Sequence, residues 1–239
     1  MAIDENGVNL DLLAKVTTAT LSNQMLVRGA RRSFMEGIVP LDPEMKIVGR
    51  ARTIRYLPLR GPAAEVRPGG EGNIQRISLE SIQTGEILVA DAGGDIDGGG
   101  MYGDILAARL QYLGCAGLVA DGAVRDTGQI LDVGLPVWTK GVHGGAMNRG
   151  LFPADYDLPI RCGGVTVIPG DYVVGDADGV CVIPPEIAAD IAIEGAAIEH
   201  KEAFIRAKVM GEGYASTEAY PPNDKVLAEY EEYKKSNPV

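Results

Sequence analysis

Apolar positions recur at helical spacing between residues 9 and 30: Leu10, Leu13 and Val16, then Leu21, Met25 and Leu26. The β-branched Thr17, Thr18 and Thr20 interrupt them, which predicts two short helices joined at a kink. Lys46 to Leu57, rich in Ile, Val and Thr, reads as a strand, and the Gly/Pro-rich stretch Pro58 to Gly72 as a loop. A short helix is expected around Ile74 to Ile82 and an apolar strand over Glu86 to Ala90. A glycine-rich connection from Asp91 to Gly103 leads to a helix from Asp104 to about Leu113, and a strand at Gly117 to Ala120 follows at once.

Strand, helix and strand in that order imply a parallel pair with a right-handed crossover, and the all-apolar Leu118-Val119-Ala120 implies burial on both faces. Leu135 to Thr139 is expected to continue the sheet. From Ile160 to Pro185 the texture changes to short Val/Ile-rich strands at 164–168, 171–174 and 179–183, separated by turn residues such as Pro169-Gly170. A helix from Pro185 to about Met210 should end near Gly211, and Pro221-Pro222 should start a last charged helix to Lys235.

Composition narrows the partners. The 239 residues, 46% of them hydrophobic, suffice for one sizeable core. A net charge of -11 excludes a nucleic-acid binder of the usual kind, because phosphate readout needs a dominant basic patch. Arg28, Arg31 and Arg32 therefore read as a solvated or intersubunit helix face. Cys115, Cys162 and Cys181 show no metal or disulfide spacing, and Cys115 and Cys181 lie in apolar runs that suit a core. An acidic N-terminal stretch, with Asp4 and Glu5, and no apolar run of about eighteen residues lead to the expectation of a cytoplasmic protein without membrane contact.

Asp104 stands just ahead of Ile105, Leu106, Leu110 and Leu113, where an N-cap or first-turn carboxylate belongs. A helix of ten residues carries the chain roughly 15 Å one way, and four or five strand residues return it about as far. Asp121-Gly122-Ala123-Val124-Arg125-Asp126 is therefore expected to emerge beside the start of that helix. Ligands of open α/β sheets bind at this edge, and a helix N-terminus there offers free N–H groups to an anion. Taken alone, Asp104 is a cap and Arg125-Asp126 a surface ion pair; together they place a cation, a hard carboxylate and an anion-binding helix end on one rim.

Asp104 followed, twenty residues on, by Arg125-Asp126 resembles the signature of class II pyruvate aldolases of the 4-hydroxy-4-methyl-2-oxoglutarate aldolase type. Gly37-Ile38-Val39-Pro40-Leu41, Val48-Gly49-Arg50-Ala51, Gly103-Asp104-Ile105-Leu106 and Gly170 to Pro184 are also similar to that family and to its relatives, the regulators of ribonuclease E activity. The resemblance covers about residues 15–210. It implies a swivelling β/β/α fold with a parallel βαβ core, N-terminal helices and a C-terminal helical arm, about 211–239, in one domain spanning 1–239. It also implies a homotrimer or homohexamer with a divalent metal, Mg2+ or Mn2+, in a cleft between subunits. By the same likeness Asp126 would ligate the metal and Arg125 would contact the 2-oxo oxygen and stabilise the pyruvate enolate. Gly103, Asp104, Ile105 and Leu106 would line the carboxylate site, with Asp104 orienting a metal-bound water. A neighbouring subunit would add an acidic residue, for which Glu194, Glu199 and Glu202 are candidates.

Two features depart from the family pattern. Ser22-Asn23 stands where the family often has Ser-Asp, and Lys140-Gly141-Val142-His143-Gly144-Gly145 is unlike the expected segment. Lys140, His143 and Arg149 either bind the distal end of a substrate or lie in a solvent-exposed loop. His200, in Glu199-His200-Lys201-Glu202, reads as exposed. The glycine run from Gly93 to Gly100 lacks a nucleotide-binding pattern and better suits a bound carboxylate. The expected activity is cleavage of a 4-hydroxy-2-oxo acid to pyruvate and a carbonyl product, with oxaloacetate decarboxylation through the same enolate. The alternatives are a non-enzymatic regulator on the same scaffold, a metal-dependent dehydratase or hydrolase of a sugar-derived acid, and a Schiff-base aldolase using Lys140.

Overall fold

The computed structural model describes residues 3–61 and 72–238. The kink expected near residue 17 separates helices α1 (Leu10–Leu13) and α2 (Thr18–Val27). Its cause is capping. Thr17 is in an extended conformation and caps α2 with its hydroxyl, while Asp176 accepts from the Thr18 amide at 2.8 Å and from its hydroxyl at 2.7 Å.

The central unit has the expected order. Strand β1 (Val39–Pro40) precedes β2 (Ile47–Pro58), helix α3 (Ile74–Glu80) and β3 (Glu86–Asp91). Then come β4 (Gly100–Tyr102), α4 (Asp104–Tyr112), β5 (Gly117–Val124), α5 (Thr127–Val133) and β6 (Val137–Val142). The β2–β3, β3–β5 and β5–β6 pairs are parallel. The loop expected from Pro58 to Gly72 lies outside the described residues at positions 62–71.

Three expectations need correction. The glycine-rich connection contains β4, which pairs in parallel with the end of β5. Strand β5 does not stop at Ala120 but runs to Val124, with a register irregularity between residues 120 and 123 when paired to β6. Short α5 occupies a stretch read as a connection.

The chain continues through a 3-10 turn (Met147–Arg149), β7 (Leu151–Tyr156), the hairpin β8 (Ile160–Cys162) and β9 (Val165–Val167), then β10 (Tyr172–Gly175) and β11 (Val180–Ile183). Among the described residues, nine strands form one mixed sheet in the order β1-β6-β5-β3-β2-β10-β11, with β4 on β5 and β7 on β2. Helix α6 (Pro185–Glu212) ends at Gly213, whose positive φ of 71° terminates it in the left-handed region. Helices α7 (Ser216–Ala219) and α8 (Asp224–Ser236) complete a C-terminal helical arm. The chain thus has the swivelling β/β/α architecture, with a parallel βαβ core and N-terminal helices.

Burial divides along the two faces of the sheet. On one face Leu88, Leu118 and Ala120 pack with Leu106 and Leu110 of α4 and Ile130 of α5. On the other, Val89, Val119 and Trp138 pack with Ile160 and Val165 of the β8–β9 hairpin. A third cluster joins α1, α2 and α6 to β10 and β11. Phe204 and Ile205 of α6 pack on Val226 and Tyr230 of α8. His200 is correspondingly not free on the surface: its Nδ1 lies 3.0 Å from the Tyr230 hydroxyl, between tyrosine rings.

Glu199 ties α6 to the start of α2, accepting from the Thr17 amide at 3.0 Å and from its hydroxyl at 2.6 Å. Burial raises its pKa, but the Thr17 and Thr20 hydrogen bonds outweigh that and leave it lowered. A depressed carboxylate contributes stability that is present above its unfolded pKa and lost as pH falls through its folded value. Glu199→Gln is therefore expected to cost about 1 kcal/mol in urea melts at neutral pH. The gap to the wild type should close on acidification below about pH 4.

Candidate functional site

The end of β5 delivers Arg125 and Asp126 to the start of α4. Gly100 and Tyr102 of β4 lie opposite Ala123 and Val124 of β5, and the Arg125 amide donates to the Tyr102 carbonyl at 2.9 Å. Arg125 is thereby locked next to Gly103, the residue that caps α4. The approach leaves no room for a side chain: a methyl group at Gly103 would lie 2.5 Å from Asp126 Oδ2 and 3.1 Å from Arg125 Nε. At Gly100 a methyl would lie 2.8 Å from the Arg125 Cβ.

Asp126 occupies the N-cap position of α5 in the left-handed region, at φ 54° and ψ 41°, and its side chain makes no capping bond. Aspartate tolerates this backbone better than most residues, but the conformation still carries strain. Its carboxylate faces Arg125 instead, with Oδ2 at 3.4 Å from Nε. Both side chains are part-exposed, at 40% for Arg125 and 37% for Asp126, so the pair remains open to a third group.

Asp104 is the first residue of α4 rather than its N-cap, and its carboxylate makes no hydrogen bond or ion pair among the described residues. Gly103 has no side chain to cap the helix, and the first bond along α4 runs from the Ala107 amide to the Gly103 carbonyl. The amides of Asp104, Ile105 and Leu106 are left as donors, the arrangement that binds a carboxylate at a helix start.

Gly103, Asp104, Ile105, Leu106 and Arg125 line a cavity of about 340 Å3 together with Gln75, Arg76 and Met147, whereas Asp126 stands beside Arg125 outside that lining. Gln75 is buried and donates to the Tyr56 hydroxyl at 2.9 Å and the Met101 carbonyl at 2.7 Å. Tyr56 in turn donates to the Tyr102 hydroxyl at 2.9 Å, and burial pushes both tyrosine pKa values up, so this wall stays neutral. Sequence reading missed Gln75, Arg76 and Met147. The available signal was Gln75 and Ser78 falling on the buried face of α3 beside Leu79.

No residue of the departing segment lines this cavity, but its far end positions the wall. The Gly145 carbonyl accepts from the Gly100 amide at 2.8 Å, which brings Ala146 and Met147 to the wall. His143 is spent on the turn, accepting from the Gly145 amide at 2.9 Å. Lys140 is elsewhere: it lines a different cavity and its Nζ lies 3.2 Å from Asp121 Oδ1. Among the neighbour-site candidates, Glu194 pairs with Arg28 at 2.6 Å, Glu199 holds Thr17, and Glu202 has no polar partner among the described residues.

The donor set decides which metal would suit. No group of three or more His, Cys, Asp or Glu side chains converges among the described residues, so a closed cage of the zinc kind does not form within one chain. Asp126, whose carboxylate lies against Gly103 at the start of α4, would suit a small hard cation of the magnesium kind, which takes one or two carboxylates and fills its shell with water and substrate oxygens.

Comparison with known proteins gives a consistent picture. The family model described as RraA-like, Aldolase/RraA, matches residues 18–182. A protein of Halalkalibacterium halodurans provisionally named a 4-hydroxy-4-methyl-2-oxoglutarate aldolase is 35% identical over 148 residues, which are 62% of this chain and 64% of that protein. Protein DlpA of Legionella pneumophila is 28% identical over 200 residues, 84% of this chain but 31% of DlpA, so the chain spans less than a third of that relative. Streptomyces coelicolor RraAS2, described as an unusual member of the RNase ES inhibitor RraA family, superposes with a TM-score of 0.74 at 35% identity. That match covers 82% of this chain and 94% of RraAS2.

Proposed function

We propose that this chain, which belongs to the RraA-like family, is a divalent-metal-dependent aldolase that cleaves a 4-hydroxy-2-oxo acid to pyruvate and a carbonyl product. The observation that carries this reading is Asp126: a helix-capping residue in a strained left-handed backbone whose carboxylate caps nothing and faces Arg125 across Gly103.

In the cleavage, the bond between C3 and C4 breaks, its electron pair passes to C3 and onto the 2-oxo oxygen as an enolate, the 4-hydroxyl proton passes to water as C4 becomes a carbonyl, and a proton returned from that water to C3 completes pyruvate. The amides of Ile105 and Leu106 at the α4 start hold the substrate carboxylate. Arg125 donates to the 2-oxo oxygen, where negative charge grows, and such a preorganised donor is worth about 10²- to 10³-fold in rate. Asp126 would hold the cation, which would supply Lewis acidity to the developing enolate. Asp104, unpaired in the cleft, orients the water that carries the proton. The largely buried Met147 and Leu106 form the apolar part of the cavity wall.

Oxaloacetate loses its distal carboxylate through the same enolate, so decarboxylation is an expected side activity. Added Mg2+ or Mn2+ should support oxaloacetate turnover, chelation should abolish it, and restored metal should recover it. Turnover that survives chelation would refute the metal assignment. The proposed assembly is a homotrimer or homohexamer in which a neighbouring subunit completes the cleft.

RraAS2 favours a second reading, since its description names an RNase ES inhibitor family. A regulator of a nuclease has no use for a strained Asp126. Inhibition of ribonuclease E cleavage by the wild type and equally by Asp126→Ala, with no lyase activity in either, would select that reading instead.

A further inference from the structure

A second cavity lies apart from the one beside α4. It measures about 540 Å3, within the range of small-molecule sites, and shares no lining residue with the first. Its wall gathers four cations from three distant parts of the chain: Arg31 and Arg32 after α2, Lys140 on β6 and Arg161 on β8. The chain as a whole carries a net charge of -11, so this wall is opposite in sign to the whole.

The cations are unequally answered. Lys140 is held by the buried Asp121 at 3.2 Å. The guanidinium groups of Arg31, Arg32 and Arg161 make no ion pair among the described residues, and Glu36 is the carboxylate that lines the cavity with them. One carboxylate against three guanidinium groups leaves two uncompensated, and like charges held together in a concavity raise its affinity for an anion.

The floor is rigid. Asp121 Oδ2 accepts from the Gly163 amide at 2.9 Å and Asp91 Oδ2 from the Arg161 amide at 3.3 Å, so two buried carboxylates pin the β8–β9 hairpin to the sheet. Ser33 also lines the cavity, and its hydroxyl has no hydrogen-bond partner among the described residues, which leaves it free to donate to a ligand.

We propose that this cavity binds a small dicarboxylate, gripped by Arg31, Arg32 and Arg161, with Lys140 and Ser33 donating from the floor. Two planar guanidinium forks in excess match two carboxylates, each of which accepts bidentate hydrogen bonds. The site is separate from the cleavage site and stands whether or not that site is an aldolase.

Succinate is the probe, because it has no 2-oxo group and cannot form an enolate. Calorimetric titration of the full chain should show binding that weakens at high salt. Arg31→Gln and Arg161→Gln should each lower the affinity about tenfold, the loss expected of a charge-assisted hydrogen bond. Ser33→Ala should lower it less, and Arg125→Ala should leave it unchanged. Because the arginines are exposed, their replacement is not expected to alter thermal unfolding. Absent binding, or binding that Arg125→Ala removes and Arg161→Gln spares, would overturn the proposal. So would arginine variants that change the sedimentation coefficient but not the succinate affinity, which would make the cluster a contact between copies of the chain.

Discussion

Asp126→Gly is expected to abolish cleavage of 4-hydroxy-2-oxo acids, with a loss of at least about 10³-fold in kcat/KM, while shifting stability by less than about 1 kcal/mol. Glycine adopts φ 54° without strain, which offsets the lost attraction between the carboxylate and the α5 N-terminus. A capping aspartate would behave oppositely, with stability falling and activity tracking the folded fraction. Asp126→Asn retains shape and left-handed tolerance but not charge, and should be nearly as inactive. Arg125→Ala should lose about 10²- to 10³-fold. Arg125→Lys should recover only part, because an ammonium keeps the charge without the planar fork. Steady-state kinetics paired with urea melts on the same preparations separate the two accounts.

Gly103→Ala should be nearly as damaging for a different reason. Its backbone, at φ -126° and ψ -171°, is extended and open to any residue, so conformational strain does not enter. What enters is space: the added methyl would sit 2.5 Å from Asp126 Oδ2 and 3.1 Å from Arg125 Nε, and both groups must move. Misplacement by about 1 Å costs on the order of 10²-fold when geometry carries the rate. The expected signature is a fall in kcat/KM of that size with an unfolding midpoint close to the wild type. Gly128→Ala is the matched control. It lies within α5 with nothing within 4 Å of the new methyl, and should gain up to about 1 kcal/mol of stability with activity intact.

The juxtaposition behind both predictions was readable from spacing because α4 and β5 follow one another without a detour. An apolar helical run and an apolar strand of matched length return the chain to its starting edge whatever lies between them. The means of closure was not readable. Strand β4 has three residues inside a glycine run, and its pairing with the end of β5 sets Gly103 against Asp126. Asp121-Gly122 looks like a turn in sequence, but here continues β5, because Asp121 is satisfied by Lys140 and by the Gly163 amide.

Lys140 was misplaced for the same reason. Expecting β6 to stop at Thr139 puts Lys140 in a rim loop, whereas the strand runs to Val142. Its period of two then sets Lys140 on the face of Trp138, away from α4. The left-handed backbone of Asp126 has no signature in a single sequence, since aspartate before a helix is ordinarily a cap. Gln75 was hidden differently, as a polar residue on the buried face of a helix too short to show a clear period.

Stabilisation of a pyruvate enolate by Arg125 and a cation at Asp126 can be measured without knowing the natural substrate. Pyruvate dissolved in D2O exchanges its methyl protons only through that enolate, and the exchange is followed by proton NMR. With Mg2+ present the wild-type chain should exchange the methyl protons well above the buffer rate, while chelation, Arg125→Ala and Asp126→Ala should each return the rate to that of buffer. Exchange that persists in chelator or in both variants would show that neither the cation nor these residues stabilise the enolate.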